Sequence, residues 1–562
     1  MKKLRWQILI VMVTLVIVGI LLLSQQPVMQ PLLPLPTSGG VFTESLVGSL
    51  SRLNPLLDWN NSSDHDVDRL IFSGLLTFDA HGMPIPDLAE SWGTSQDGTI
   101  YNFSIRPNAV WHDGTPVTSD DVIYTIGLIQ GGGSSFPQDI QDMWESIEIN
   151  RLNERTLQFH LPEPFAPFLD YLSFGILPKH IFASIPIDQL GNAEFNLKPI
   201  GTGPYQFDHL ILENGQINGV VLTAFDKYYN QQPFIQQVVF RYYPTPVEAL
   251  IAYQQGEVLG VSQVTSASLK DALAEPNLSL YSCRQPELSL ILLNLDDGTV
   301  PFFQEQSVRK ALMLGLNRQR MIDVILQGQA IPAEGPILPG SWAYYDGFEH
   351  INYDRDAAVT LLKTKGYVIP AEGGDVRVKD GKPLAFTLIY PDDTLHSALA
   401  ELIQSDWALI GVKVDLQSIP YDQLFIDHLS PRKYQAALVD LDLSRSPDPD
   451  PYPFWHQAEA TGGQNYSQWN NRTASEYLEQ ARTITDLAVR TRLYRNFQVV
   501  FAKEIPALTL YYPVYTFAVD IQVRGVQGAP IFDISDRFAN ITSWYLVTRR
   551  ALEQTPTPTI TP

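Results

Sequence analysis

The residues best placed to do chemistry are two aspartates one residue apart, Asp440 and Asp442, near the end of the apolar run 436–443. Side chains two apart in a strand project from the same face, so these carboxylates would stand side by side. Such a pair raises the pKa of one member for acid–base work, or attracts a cation; a solvated or Arg-paired strand face is the plainer alternative. The run enters a loop at 444–453 with four prolines, Asp448, Asp450 and the first of three aromatics, Tyr452, Phe454 and Trp455. A second aromatic group, Trp342, Tyr344 and Tyr345, follows Gly340. Flat apolar faces with polar edges suit peptides, sugars and other amphipathic solutes, although core packing is the default for any single ring. Catalytic spacing is missing elsewhere. The ten histidines show no i, i+4 helical pair, and no Gly-x-Ser-x-Gly elbow or Walker loop occurs. Glycines 131–133 lack the Lys and Ser/Thr of a phosphate loop, and Asp120 with Asp121 reads as a helix start. No catalytic residue, cofactor or metal site is therefore expected.

The carboxylates and aromatics need a scaffold. Leu384, Phe386, Leu388 and Tyr390 alternate as a strand; Leu395, Ala398, Leu399, Leu402 and Ile403 follow at helical spacing until Gly411; residues 412–416 alternate again. A strand, helix and strand of these lengths form a crossover with parallel strands. Ligands in open α/β sheets bind beyond the carboxyl ends of strands, which makes 444–453 the leading cleft segment. A similar unit runs through 238–242, a helix at 246–255 begun by Pro246, and 258–261. Residues 288–295 read as a buried strand, followed by a helical face of Val308, Ala311, Leu312 and Gly315, with Asn317 capping the next helix. Nearer the start, Tyr101, Phe103 and Ile105 alternate, Asp97-Gly98 and Asp113-Gly114 are hairpin dipeptides, and Leu157, Phe159 and Leu161 form a further alternating run. Thr118 and Asp121 match a capping box for a helix that buries Val122, Ile126 and Ile129.

The chain has 562 residues, more than one hydrophobic core of roughly 250–300 residues organises, so two or more lobes are expected. Apolar residues at 45% and charged residues at 18% give a globular balance. A net charge of −23 repels phosphate backbones and anionic headgroups, which excludes nucleic acid as a partner. Cys283 is the only cysteine, so an intrachain disulfide framework is excluded, and burial as a small apolar side chain is expected. At the N-terminus Lys2, Lys3 and Arg5 precede the apolar stretch 8–23, and Gln25, Gln26 and a Pro-rich connector at 27–36 follow without a small-x-small cleavage site. This pattern reads as an uncleaved anchor in preference to a cleaved signal, with the globular part outside the membrane. Residues 555–562 alternate Thr and Pro and read as an extended, disordered tail.

Several stretches together resemble one family. They are Leu88-Ala-Glu-Ser-Trp92, Tyr101-Asn-Phe-Ser-Ile-Arg106, Trp111-His-Asp-Gly-Thr-Pro116 and Ser119-Asp-Asp-Val122, with Arg52-Leu-Asn-Pro-Leu56, residues 71–79, Gly201-Thr-Gly-Pro-Tyr205, Val308-Arg-Lys-Ala-Leu312, Asn317-Arg318 and Gly335-Pro-Ile-Leu-Pro-Gly340. The ordered set resembles the peptide/nickel-type, family 5 solute-binding proteins of ABC importers, which include oligopeptide- and dipeptide-binding proteins. The resemblance implies a type II periplasmic-binding-protein-like, two-lobed α/β fold with an extra subdomain, the cluster C arrangement. Residues 1–40 would be the anchor and connector; 41–77, 199–285 and 504–550 one lobe; 78–198 the accessory subdomain; 286–503 the other lobe; and 551–562 the tail. It implies a monomer that closes on a peptide or other small solute by hinge motion and hands it to permease subunits. It also places Asn54 beside the cleft; Asp440, Asp442, Asp448, Tyr452, Trp455, Trp342 and Tyr344 join it as candidate ligand contacts on the reading of the residues above.

The peptide-binding members share Gly-Trp-x-x-Asp-x-x-x-Asp-Pro, whose first Asp pairs with the peptide ammonium. Aligned on Asp448-Pro449, this chain has Leu441 and Ser444 at the Trp and Asp positions; aligned on Asp450-Pro451 it has Leu443 and Ser446. The anchor is missing in both registers, and Asp440 or Asp442 would have to replace it. Oligosaccharides and nickel chelates therefore stay open as ligands, as does a sensory or adaptor role on the same fold.

Overall fold

In the computed structural model the described residues are 6, 11–18, 32–132, 136, 138–444 and 447–552. The Thr/Pro tail at 555–562, Gly133, Ser446 and most of the apolar stretch 8–23 lie outside them; residues 11–18 are helical. Among the described residues no helix is long and apolar enough to cross a membrane. Part of the expected connector is a strand instead, because Leu32–Thr37 pairs antiparallel with Val547–Leu552. That pairing sets residues 32–37 beside 547–552.

Twelve strands form one continuous sheet that serves both lobes. Its first part holds Val41–Val47 between Gln237–Tyr243 and Gly260–Val261, parallel to both. The helix between those two, Pro246–Gln254, has Pro246 in its first turn and its N-cap at Thr245. The second part carries the crossover expected from the sequence: Ala385–Pro391 and Lys413–Ile419 are parallel, with helix Thr394–Ala408 between them. Ala436–Asp442 lies parallel to Ala385–Pro391 and antiparallel to Glu287–Leu293.

The strand Ala507–Asp520 joins the two parts: Ala507 to Tyr511 pair with Glu287–Leu293 in the second, and Val514 to Asp520 pair with Leu278–Arg284 in the first. A strand of 14 residues is long enough to serve both. Pro513, which has no N–H to donate, falls between these two registers and accepts from the Gln285 N–H at 2.8 Å.

A four-stranded antiparallel sheet, ordered Ala89–Thr94, Ile100–Ile105, Thr156–His160 and Glu148–Arg151, forms a separate small layer. Its local signals hold. Gly98 turns at φ +74° between the first two strands, and the Thr118 N–H donates to Asp121 at 2.8 Å in a capping box that starts helix Ser119–Gly131. Tyr101, Phe103, Leu157 and Phe159 enter the same core as Phe42 and Leu70, so this layer is packed on the first lobe. Gly201 and Gly203 lie on the Ile71 backbone, an approach that a side chain at Gly201 would block by colliding with the Ile71 carbonyl. Cys283 is free and buried.

Candidate functional site

A cavity of about 500 Å³ opens where three pieces of the chain meet. One wall comes from residues 55–78 with 532–536, another from the helices around Ile129, Ile140 and Trp144 with residues 170–175, and a third from Asp442, Ser444 and Pro447. Its apolar surface is largely aromatic, with Trp59, Phe72, Phe78, Trp144, Phe174 and Phe532. Rings of this kind give a ligand apolar contact area without mobile side chains to immobilise.

Helix Ser62–Ile71 carries the polar part of the first wall. Asn61 caps it by accepting from the Ser63 N–H at 3.1 Å. Val67, Leu70 and Ile71 turn into the core, while His65, Asp68 and Arg69, three and four residues apart, face the cavity. His65 Nδ1 lies 2.5 Å from Asp58 Oδ2, and Nε2 lies 3.2 Å from Asp533 Oδ1. Burial opposes a charge on the ring, but the carboxylates of Asp533 and Asp58 outweigh it and raise the pKa to about 10, so His65 is an imidazolium. Arg69 donates to Asp536 at 3.2 Å and to Thr77 at 3.3 Å. Asp68 is held well above the carboxylate range by burial and by its acidic neighbours Asp58 and Asp64.

The second-lobe wall ends in Asp442. Its Oδ1 accepts from the Ser444 N–H at 2.8 Å, which fixes the turn out of the strand and leaves the residue exposed. Glu287 is its cross-strand partner. Burial first, then repulsion from Asp440 and Asp442, pushes the Glu287 pKa up to about 7. Asp440 projects from the same face, but its Oδ2 is engaged by His396 Nε2 at 3.0 Å, and His396 is held in turn by Asp393. The two carboxylates are therefore neighbours with different partners.

The remaining residues singled out from the sequence lie elsewhere. Asp448 and Trp342 gather around Arg490. The guanidinium donates to Asp448 at 2.8 Å and sits 5.0 Å from the Trp342 ring. Tyr452 stacks on His456 and under Arg482, and Trp455 is buried against Phe501. Tyr344 donates to Asp346, and Asn54 donates to Asn196 beneath the cavity wall formed by its neighbours Pro55 and Leu56. Of the eight residues, Asp442 lines the cavity. Sequence reasoning missed Asp58, His65, Asp68 and Arg69, as well as residues 532–536. The signal available was the polar stripe at 65, 68 and 69 on a helix whose other face is apolar.

A family description, bacterial extracellular solute-binding proteins, family 5, matches residues 83–464. The chain belongs to that family. This solute-binding protein is 26% identical to the oligopeptide-binding protein AppA of Bacillus subtilis over 518 residues, spanning 91% of the chain and 92% of AppA. It is 25% identical to the dipeptide-binding protein of Escherichia coli, spanning 82% of the chain and 90% of that protein. Among solved structures, AppA of Bacillus subtilis in complex with a nonapeptide matches with a TM-score of 0.66 at 25% identity, covering 91% of this chain and all of AppA. NikZ of Campylobacter jejuni in complex with Ni(L-His) matches with a TM-score of 0.67 at 25% identity, covering 90% and 99%. The family consists of extracytoplasmic binding proteins that serve ABC importers, and the fold is the two-lobed α/β fold of periplasmic binding proteins.

Proposed function

We propose that this importer-linked binding protein captures short peptides in the cavity, with Asp442 taking the ligand ammonium in place of the missing anchor aspartate. The observation that carries this reading is the position of Asp442: an exposed carboxylate on the second-lobe wall, facing aromatic residues of the other two walls. A carboxylate opposite an apolar, ring-lined surface suits a molecule with an ammonium end and an amphipathic body. The named peptide binders among the relatives support the same ligand class. Binding closes the lobes, excludes water and delivers the ligand to permease subunits; no covalent chemistry enters. The protein acts as a monomer. The stretch 8–23, with Lys2, Lys3 and Arg5 before it, holds it at the outer face of the membrane.

Titration calorimetry of the full-length chain, in detergent, with di- to pentapeptides tests the reading. Binding that drops by tenfold or more in Asp442→Ala, and in peptides acetylated at the N-terminus, is expected. Unchanged affinity in that variant removes Asp442 from the site. Binding of oligosaccharides or nickel chelates with no peptide response removes the ligand class.

A further inference from the structure

The first-lobe wall of the cavity holds carboxylate oxygens that make no well-formed hydrogen bond among the described residues. Asp68 is 2% exposed, and neither carboxyl oxygen makes a well-formed hydrogen bond, although the Asn54 backbone N–H lies close enough to temper its pKa. Asp58 is 1% exposed; its Oδ2 is bound by His65, but Oδ1 has no partner. Buried acceptors left unpaired are costly and rare, and here they line a cavity large enough for a ligand. The cations nearby are already engaged, His65 between Asp58 and Asp533, and Arg69 with Asp536 and Thr77.

We propose that this wall receives a second cationic group of the ligand, an ammonium or guanidinium, at Asp68 and Asp58. The proposal rests on the cavity being the ligand site and narrows the class to peptides with a basic side chain. It places the two charge-recognising carboxylate groups on different lobes, so a ligand with two cations favours the closed form. The groups facing Asp68 are Asp58 from the preceding loop, Asp64 and His65 from its own helix, and Tyr242 from the sheet beneath, whose hydroxyl is also buried without a partner. In that setting burial and the acidic neighbours raise the Asp68 pKa, and an arriving cation lowers it.

The test uses Ala-Lys-Ala, Ala-Ala-Ala, Ala-Glu-Ala and cadaverine with the full-length chain, by calorimetry near pH 6.5 in buffers of different ionisation heat. Ala-Lys-Ala is expected to bind at least about tenfold more tightly than Ala-Ala-Ala, with Ala-Glu-Ala weakest, and to release protons. Asp68→Asn matches the protonated acid in shape, so its fold should persist, as thermal melting will verify; its Lys preference should shrink to within about twofold. Equal affinities for the three peptides, or a Lys preference that survives Asp68→Asn, overturns the proposal. If no peptide binds, the peptide reading fails alone. Cadaverine binding that is lost in Asp68→Asn then upholds the cation site, and no cadaverine binding overturns it.

Discussion

The backbone N–H of Trp342 donates to the His81 carbonyl at 3.0 Å, tying a turn of the second lobe to the hairpin turn that follows cavity residues Thr77 and Phe78. The same turn contains Gly82 at φ +79°, where a Cβ would come within 2.9 Å of the Pro447 carbonyl oxygen and 3.0 Å of the Phe532 ring. The turn at 81–82 therefore meets the segments carrying Trp342, Pro447 and Phe532 through backbone that a side chain at 82 would push apart.

Gly82→Ala should hinder closure. Peptide affinity is expected to fall about tenfold, from left-handed strain of about 1 kcal/mol plus the contact with Pro447. Calorimetry gives the affinity, and small-angle scattering should show a larger radius of gyration in the ligand-bound variant than in the ligand-bound parent. Equal radii and affinities would contradict the contact's role.

Arg490→Met should unfold the protein more readily. Asp448 and Arg490 have side chains 8% and 6% exposed, so removing the cation strands a buried carboxylate at a cost of about 3–5 kcal/mol. The double change with Asp448→Asn should recover part of the loss, because the stranded charge goes with it. Denaturant midpoints of the two variants check this.

Stability should decline as the solution becomes alkaline. Glu287 has its folded pKa raised from 4.5 to about 7. A raised folded pKa means its contribution is complete below about 4.5 and is lost as pH rises through about 7. His65, raised from 6.5 to about 10, contributes fully below about 6.5 and loses that contribution as pH rises through about 10. Melting temperature should therefore fall from about pH 4.5 upward, first through Glu287 and then through His65. Glu287→Gln should flatten the slope between about pH 4.5 and 7 and leave the alkaline part. An unchanged slope would remove Glu287 as a source.

Gly201→Ala places a methyl group against the Ile71 carbonyl, and the obstacle is backbone that cannot rotate away. A cost of at least about 3 kcal/mol is expected, read from the denaturant midpoint. Asp113 to Ala, in an exposed turn of the accessory layer, serves as the mild comparison.

What the sequence determined alone was local. The capping box at Thr118 and Asp121, the turn at Gly98 and the crossover from Ala385–Pro391 to Lys413–Ile419 follow from periodicity and caps within a few residues, which the folded chain did not need to override. The order of family-like stretches extended that reading to the whole fold. Which acids face the cavity was decided by tertiary structure. Asp442 and Asp448 lie six positions apart in one segment, yet one ends a strand at the cavity while the other is buried by Arg490, 42 residues further on. Asp58, Asp68 and Asp533 meet around the cavity from segments that share no motif. The long strand Ala507–Asp520 pairs in both parts of the sheet, and that pairing depends on where Leu278–Arg284 and Glu287–Leu293 lie. Burial and partner identity are set by contacts across hundreds of residues, and local periodicity carries no record of them.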